Sequence, residues 1–497
     1  MDVYIGVYLM NSKLSLNYFY NLMYQFLAIA LPIVTVPYVS RTLGASALGE
    51  YYYIAAVVSY FNIVAILGTT DYGQREIAKR QGNKEARSKL FWDIFYFRSI
   101  CTSVTLIVYV LFIFIFPSRY HVLLIINFLS FASWIFDVSW YFQGMENFKV
   151  TAIRNGLVKI LATILIFILI RKPSDVVLYT FIYVIAGLIG NLTMIPYLKD
   201  ELVFKKFQLT DIFSHVKGIL GLFLPVVAIQ LYTVLNRVML GALSSSTQVS
   251  YFSQIMTIIN LSLSIMSAFV GVLTPHIANI YSKGLRQEIK KLSKLAINFV
   301  YLLGLPMMLG CLVCGSIFVP VFFGYQYKPA IPILYILSIL FIILGFGQVL
   351  GGFLISTDRQ GSYTVAVSLA AVANLILNFV FLIIFHKGAV GVSISTIVSE
   401  TIATGVQMYY LRNILDMTNF ITGFFRYGLI SLISILPIGL LILLTGLSSL
   451  IKLILIIIFA VLAYFLILIL LKDRAFNYIL GPIVKKFYKG YKYKENE

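Results

Sequence analysis

Charge is what this sequence lacks. Only 11% of its 497 residues are Asp, Glu, Lys or Arg, against about 25% in a soluble globular chain. With 60% hydrophobic residues and a mean hydropathy of +0.93, that shortage excludes a water-soluble fold and places most of the mass in a bilayer. Acids are scarcer still, 19 against 38 Lys and Arg. The resulting charge of +19 does not point to nucleic acid, because the excess sits in short loops beside apolar runs, where it sets topology. Cysteine is nearly absent. Cys101, Cys311 and Cys314 lie inside apolar runs, and the Cys311-x-x-Cys314 pair has no second pair or nearby histidine, which leaves packing rather than metal or redox chemistry. No cofactor and no metal are expected. Long loops are missing too, so there is no room for a separate soluble catalytic domain, which weighs against a membrane glycosyltransferase or polymerase. An enzyme is not expected.

What is present is a succession of apolar runs without alternation, about 18–24 residues each, the length of a membrane-crossing helix rather than a barrel strand. Lipid offers no partner for backbone N–H or C=O, so the spans must be helical. Fourteen are read: 14–37, 50–69, 94–116, 121–143, 153–170, 176–197, 218–241, 252–274, 296–322, 331–355, 363–385, 389–411, 427–446 and 450–471. The first lacks a small-residue cleavage site and is expected to be retained. Lys and Arg alternate between faces. One set of loops holds about 28 of them, including Arg75, Lys79, Arg80, Lys84, Arg87 and Lys89; the other holds Arg41, Arg119, Arg171, Lys172, Lys328, Lys387 and Lys452. That bias puts both termini in the cytoplasm. The 275–294 segment, with Ile289, Leu292 and Leu295 among cations, reads as a short amphipathic helix on the inner leaflet or as a solvated basic loop.

The chain also repeats itself. Leu31-Pro32, then Leu43-Gly44-Ala45, then Glu50-Tyr51-Tyr52 are answered by Leu224-Pro225, Leu240-Gly241-Ala242 and Ser250-Tyr251-Phe252. Gly68 and Gly82 around one basic loop correspond to Gly271 and Gly284 around another, and Asn155-x-x-x-Lys159 corresponds to Asn374-x-x-x-Asn378. The expected organisation is an all-α membrane protein with an N-lobe at 1–210 (spans 1–6), a C-lobe at 211–415 (spans 7–12), and spans 13–14 with a basic tail at 416–497. Parallel repeats of this kind place a substrate between lobes.

Charge inside a span costs about 2.5–3.5 kcal/mol on insertion scales, so depth decides which charges need a reason. At about 1.5 Å per residue, Glu400 is roughly 16 Å from either end of its run; it faces a polar interior, or the span boundary is misplaced. Asp137 and Lys159 lie about 9 Å inside theirs, as a mutual salt bridge or as part of a site. Arg98 and Arg237 each lie about 6 Å from an end. Together Arg98, Lys159 and Arg237 form a cationic series suited to an anionic head group, and the Arg237 guanidinium suits bidentate phosphate contact. Amides lie around them, among them Asn17, Asn21, Gln143, Asn155, Asn191, Asn236 and Gln254; inter-helix hydrogen bonding accounts for many such groups.

Asn17-Tyr18 through Leu31-Pro32, Pro37-Tyr38-Val39-Ser40-Arg41-Thr42-Leu43-Gly44 and Gly49-Glu50-Tyr51 resemble the opening of bacterial polysaccharide repeat-unit flippases of the Wzx type. Trp140-Tyr141-Phe142-Gln143-Gly144-Met145-Glu146, Arg154-Asn155 and Lys159 resemble that family's fourth and fifth spans. Asn236-Arg237-Val238-Met239-Leu240-Gly241 resembles its seventh, with an asparagine where aspartate is common; Asn374-x-x-x-Asn378, Gly388-x-x-Gly391 and Ser399-Glu400 resemble later ones. The resemblance implies two six-helix bundles of the multidrug and toxic-compound extrusion (MATE) type plus two helices. It implies movement of undecaprenyl-pyrophosphate-linked oligosaccharide from the inner to the outer leaflet of the bacterial plasma membrane by alternating access, for O-antigen or capsule assembly. Lys159 and Arg237, with Arg98, become candidates for binding the pyrophosphate. Glu400, and after it Asp137, become candidates for ion coupling or charge balance. The implied partners are the lipid-linked substrate, membrane lipids, and the polymerase and other assembly proteins. The rival readings are a drug/cation antiporter or lipid II flippase on the same fold, and a membrane polysaccharide polymerase.

Overall fold

The computed structural model of the protein describes residues 12–206 and 213–478. The side chains of Lys13, Asn17, Asn21 and the Leu224-Pro225 pair, and the cations beyond residue 478, lie outside the described residues. Among the described residues every regular element is helical. Eleven helices are long and apolar enough to cross a membrane, or twelve if one bent pair counts as a span. The protein is a multi-pass membrane protein. It forms two compact units, Met1–Ser250 and Tyr251–Glu497.

The first unit begins with α1 (Ser12–Ile66), whose backbone leaves helical geometry at Gly44, φ 79° and ψ 172°. A positive φ favours glycine, and the break is needed: 55 residues in one straight helix would run about 80 Å through a hydrocarbon core about 30 Å thick. Leu67 and Gly68, both with positive φ, turn the chain into the short α2 (Thr69–Ala78). Asn83 caps α3 (Lys84–Ile115) by accepting from the Ala86 N–H at 3.0 Å. The run expected at 121–143 is two helices, α4 (His121–Ile135) and α5 (Ser139–Gly144), parted at Phe136–Val138. Then come α6 (Phe148–Leu169), α7 (Val176–Leu192) and α8 (Val216–Leu243). Helix α1 packs against α3, α6 and α8, while α4 packs on α7.

Two glycines set how close α1 comes to its neighbours. A Cβ on Gly241 would lie 2.0 Å from the Tyr53 ring, and one on Gly49 would lie 1.7 Å from the Ser246 carbonyl oxygen. Small residues of this kind let membrane helices approach backbone to backbone. Because α8 lies on α1 in this way, the contact boundary falls after Ser250; grouping by sequence repeat cuts instead at 210/211.

The second unit takes in most of α9 (Ser246–Ser282), then α10 (Arg286–Phe323), α11 (Ile331–Leu337) and α12 (Leu340–Ser356). The α11 segment is bent from α12 by 48°. After them come α13 (Gln360–Phe379), α14 (Gly388–Leu411), α15 (Met417–Leu443) and α16 (Ser449–Leu470). Asn374 donates to the Ser399 hydroxyl at 3.2 Å and accepts from Asn378 at 3.0 Å, joining α13 to α14. Cys314 packs among Leu453 and Ile456 of α16. Beyond α16, the buried Asp473 pairs with Arg426 at 2.7 Å and accepts from the Tyr427 hydroxyl at 3.0 Å. The 275–294 segment is not one surface helix. It is the end of α9, a turn at Gly284, and the first turns of α10, with Ile289 buried.

One turn that ends helices recurs along the chain, and Lys472 with Asp473 shows it as well. Glu146 and Asp358 both take positive φ after a helix, and the next residue's N–H reaches back five residues, Asn147 to Phe142 and Arg359 to Leu354, each at 2.8 Å. Counted from those turns, Asn155 is the ninth residue and Asn374 the sixteenth, so the two asparagines are about two helical turns out of step. Gly44 and Gly68 have positive φ, whereas Gly241 and Gly271 sit inside helices.

Gly241→Ala is expected to destabilise the protein by about 1–3 kcal/mol, the usual cost of overpacking, seen as a lower melting temperature in detergent. Gly271→Ala, whose Cβ would meet nothing within 4 Å, is the control and should melt no lower than wild type.

Candidate functional site

The break after α4 is organised by Arg98, 1% exposed. Its Nε donates to the Thr69 hydroxyl at 2.8 Å, one terminal nitrogen to the Thr70 hydroxyl at 2.6 Å, and the other to the Asp137 carbonyl at 2.6 Å. One planar guanidinium thus ties α3 to the first turn of α2 and to the end of α4. The Asp137 carboxylate accepts from the Ser139 N–H at 3.1 Å and so starts α5. Asp137 is placed with Arg98 and Ser139 in the architecture of the break. Helix α5 is buried against α2 and α3: Trp140 stacks on Phe91 of α3 with centroids 5.4 Å apart. Cβ atoms on Gly73 and Gly144 would lie 2.4 Å from the Trp140 ring and 2.7 Å from the Gln74 carbonyl.

The first unit also has a half-open cavity of about 230 Å³ between α1, α4 and α7. Helix α4 contributes Asn127, Ser130, Ser133 and Trp134; α7 contributes Thr180, Tyr183 and Gly187; α1 contributes Tyr51. None of the lining side chains carries a formal charge. The aromatic wall is continuous with a cluster in which Tyr179 lies 4.9 Å from both Tyr51 and Tyr183. Behind it, Asn191 donates to the Ser133 carbonyl and hydroxyl at 2.7 and 2.9 Å. Arg154 in turn donates to the side-chain oxygens of Asn155 and Asn191. These groups form a polar wall across α4, α6 and α7.

Arg237 is half-buried on α8, one turn before Gly241 and so on the face that meets α1, within electrostatic range of Tyr51. Lys159 is half-buried on α6, three residues beyond Gly156, whose Cβ position is 3.3 Å from Leu27 of α1. Glu400 is half-buried on α14, within electrostatic range of Tyr363 on α13. Of the five sequence candidates, Arg98 and Asp137 meet in one hydrogen-bonded cluster, and Arg237 is within electrostatic range of Tyr51, which lines the cavity. The cavity residues themselves had not been singled out as site residues. A signal existed: Asn127, Ser130 and Ser133–Trp134, and likewise Thr180, Tyr183 and Gly187, recur at intervals of three to four, a polar and aromatic stripe along one helix face.

The same helical arrangement occurs in two solved structures. One is lipid II flippase MurJ in its inward closed conformation, 14% identical, with 94% of this chain and 99% of that chain covered and a TM-score of 0.71. The other is an inward-facing multidrug resistance MATE family transporter of the MOP superfamily, 17% identical, with coverages of 81% and 94% and a TM-score of 0.58. The fold is therefore the all-α membrane fold that the spans implied, of the MATE-like kind that the family resemblance implied. Within that class, the family described as polysaccharide biosynthesis protein matches residues 14–281, more than half of the sequence, and the chain belongs to it. A protein described as an O-antigen transporter of Escherichia coli (strain K12) is 24% identical over 410 residues, 81% of this chain and 98% of its own.

Two predictions concern the support of the site. Hydrogen bonds to a charged group contribute about 1.5–3 kcal/mol each, so Arg98→Ala should give a chain of much reduced thermal stability. Arg98→Lys should restore little, since a point charge cannot satisfy three acceptors on separate elements. Wild-type melting of Arg98→Ala would overturn the staple. Next to it, burial alone would push the Glu76 carboxyl up, but hydrogen bonds and charge from Arg80 and Lys79, at 2.6 and 2.8 Å, hold its pKa at about 2. A depressed carboxylate stabilises the fold above its unfolded pKa, about 4.3, and that contribution is lost as pH falls toward 2. Glu76→Gln should therefore melt lower than wild type at pH 7, with the difference shrinking as pH falls from 4.5 toward 2.

Proposed function

We propose that this protein is a flippase that moves lipid-linked oligosaccharide repeat units across the bacterial plasma membrane for O-antigen or capsular polysaccharide assembly. The observation that carries the reading is the near-complete alignment to the E. coli protein described as an O-antigen transporter, 98% of whose length is covered. Membership of a polysaccharide biosynthesis family and a fold shared with a lipid flippase support it. In this reading fourteen spans bring both termini to the cytoplasm. They are reached by dividing α1 at Gly44, joining α11 and α12 into one span, and adding α8. The substrate is carried on undecaprenyl pyrophosphate and passes by alternating access between an N-lobe at 1–210 and a C-lobe at 211–415, with the last two spans and tail at 416–497. Partners in assembly, the polymerase among them, belong to the same proposal.

Lys159 and Arg237 are the cations we assign to the pyrophosphate, each half-buried on a helix that packs against α1. Arg98 acts on them from a distance, by fixing the helices on which the site is built. Glu400 is assigned to charge balance or ion coupling in the second unit, with Asp137 the second choice.

Vesicles containing the full chain and a fluorescent or radiolabelled lipid-linked repeat unit test the assignment. Lys159→Ala and Arg237→Ala, each stably inserted, should slow movement between leaflets at least tenfold, the scale of one lost charge-assisted phosphate contact of about 1.5–3 kcal/mol. Wild-type rates would remove both residues from pyrophosphate binding. Lengthening of the glycan in the same vesicles would instead make the protein a polymerase and overturn the transport reading.

A further inference from the structure

We propose that the cavity between α1, α4 and α7 is a sugar subsite that takes one uncharged pyranose ring of the transported glycan. The proposal rests on the flippase reading and goes beyond it by naming which part of the substrate this cavity holds and which residues hold it.

Three properties of the cavity select that ligand. The first is size. At about 230 Å³ it is smaller than the roughly 300–1,000 Å³ of pockets that enclose a drug-sized molecule, so one ring fills it, and because it is half open the rest of a glycan can extend out of it. The second is charge. Its lining has aromatics, hydroxyls and an amide but no ionised group, which makes it a poor host for phosphate or a metal ion. The third is the arrangement of those groups. Trp134, Tyr51 and Tyr183 offer aromatic surface, whose electron-rich faces attract the weakly positive C–H face of a pyranose. The Thr180 hydroxyl donates to the Val176 carbonyl at 2.8 Å, and Ser133 accepts from Asn191 at 2.9 Å. A hydroxyl that donates into its own helix keeps lone pairs for an incoming donor, so this rim accepts hydrogen bonds from sugar hydroxyls. The cavity therefore combines an apolar wall and a hydrogen-bonding rim, the two halves of a sugar surface.

The position fits the rest of the substrate. Arg237, assigned above to the pyrophosphate, lies within electrostatic range of Tyr51, and Tyr51 lines the cavity. A sugar in the cavity would thus touch a residue, Tyr51, that lies within electrostatic range of that cation.

Gly187 makes the proposal testable. A Cβ there would lie 3.6 Å from the Ser133 hydroxyl, an ordinary contact, so Gly187→Ala should be tolerated while Gly187→Leu fills the space. The full chain in lipid nanodiscs is titrated with methyl glycosides of neutral hexoses and of N-acetylhexosamines, with glucuronate as the charged comparison, and binding is read by saturation-transfer NMR. Neutral sugars should bind wild type and Gly187→Ala alike, glucuronate should bind at least tenfold more weakly, and Gly187→Leu should lose neutral-sugar binding at least tenfold with an unchanged melting temperature. If Gly187→Leu does not fold, Trp134→Leu decides the matter by the same tenfold loss. No saturable binding of neutral sugars to wild type, equal binding to the plugged variant, or preference for glucuronate overturns the subsite. Binding in nanodiscs without lipid movement in vesicles leaves the subsite standing and sinks the transport reading, so the two failures are distinct.

Discussion

A helix end strands carbonyl oxygens that lipid cannot satisfy, and the ends of the helices in the first unit are met by buried polar side chains. Its chain breaks at Gly44, at Leu67–Gly68 and at Phe136–Val138. The last two breaks are brought together by Arg98, whose guanidinium reaches Thr69, Thr70 and the Asp137 carbonyl at once. A buried charge is costly unless its donors are matched; here one match is the Asp137 carbonyl that the break exposes, and the other two are the hydroxyls of Thr69 and Thr70 just after the turn at Gly68. Each problem answers the other. The short helix α5 can then lie flat against α2, and the helices that carry the cavity and Arg237 keep their positions.

Most of the architecture was legible in the sequence, because hydrocarbon imposes one solution on a long apolar run. The all-helical class, the multi-pass topology and the intrahelical place of the cysteines follow from composition and run length. The breaks were harder to read. Gly44 and Gly68 stood out as motif glycines, but a glycine with positive φ and a glycine that admits a neighbouring ring look alike in sequence. Gly241 is the second kind, with Tyr53 against it. The division of residues 121–143 into two helices was not visible, since Phe136 and Val138 are apolar and only Asp137 signals the end of α4.

The candidate site shows a different limit. Depth arguments find charges, and they found Arg98 and Asp137, which form the support at the floor of the unit. They do not find uncharged polar groups, because a serine or threonine in a membrane helix satisfies itself by donating to the carbonyl one turn back, as Thr180 does. Two such helix faces, on α4 and α7, converge here with aromatic side chains from α1, α4 and α7, and convergence is a property of packing. Arg154 belongs to both cases. Its charge marked it in the sequence, yet its role as backing for Ser133 through Asn191 depends on α4, α6 and α7 meeting.

The pairing of Asp473 with Arg426 and Tyr427 bears on the order in which the protein is built. Asp473 leaves the ribosome about 47 residues after Arg426, a delay of roughly 2–9 s at about 5–20 residues per second. Throughout that interval α15 carries a cation and a phenol whose joint partner has not yet been made. The hairpin of α15 and α16 is therefore locked by the last acid of the described residues, buried just beyond the end of α16 at the open end of the hairpin, with the Phe476 N–H donating to it at 2.9 Å. Until then these helices stay free to be threaded, oriented and handed into lipid, and synthesis of one aspartate ends the assembly of the second unit.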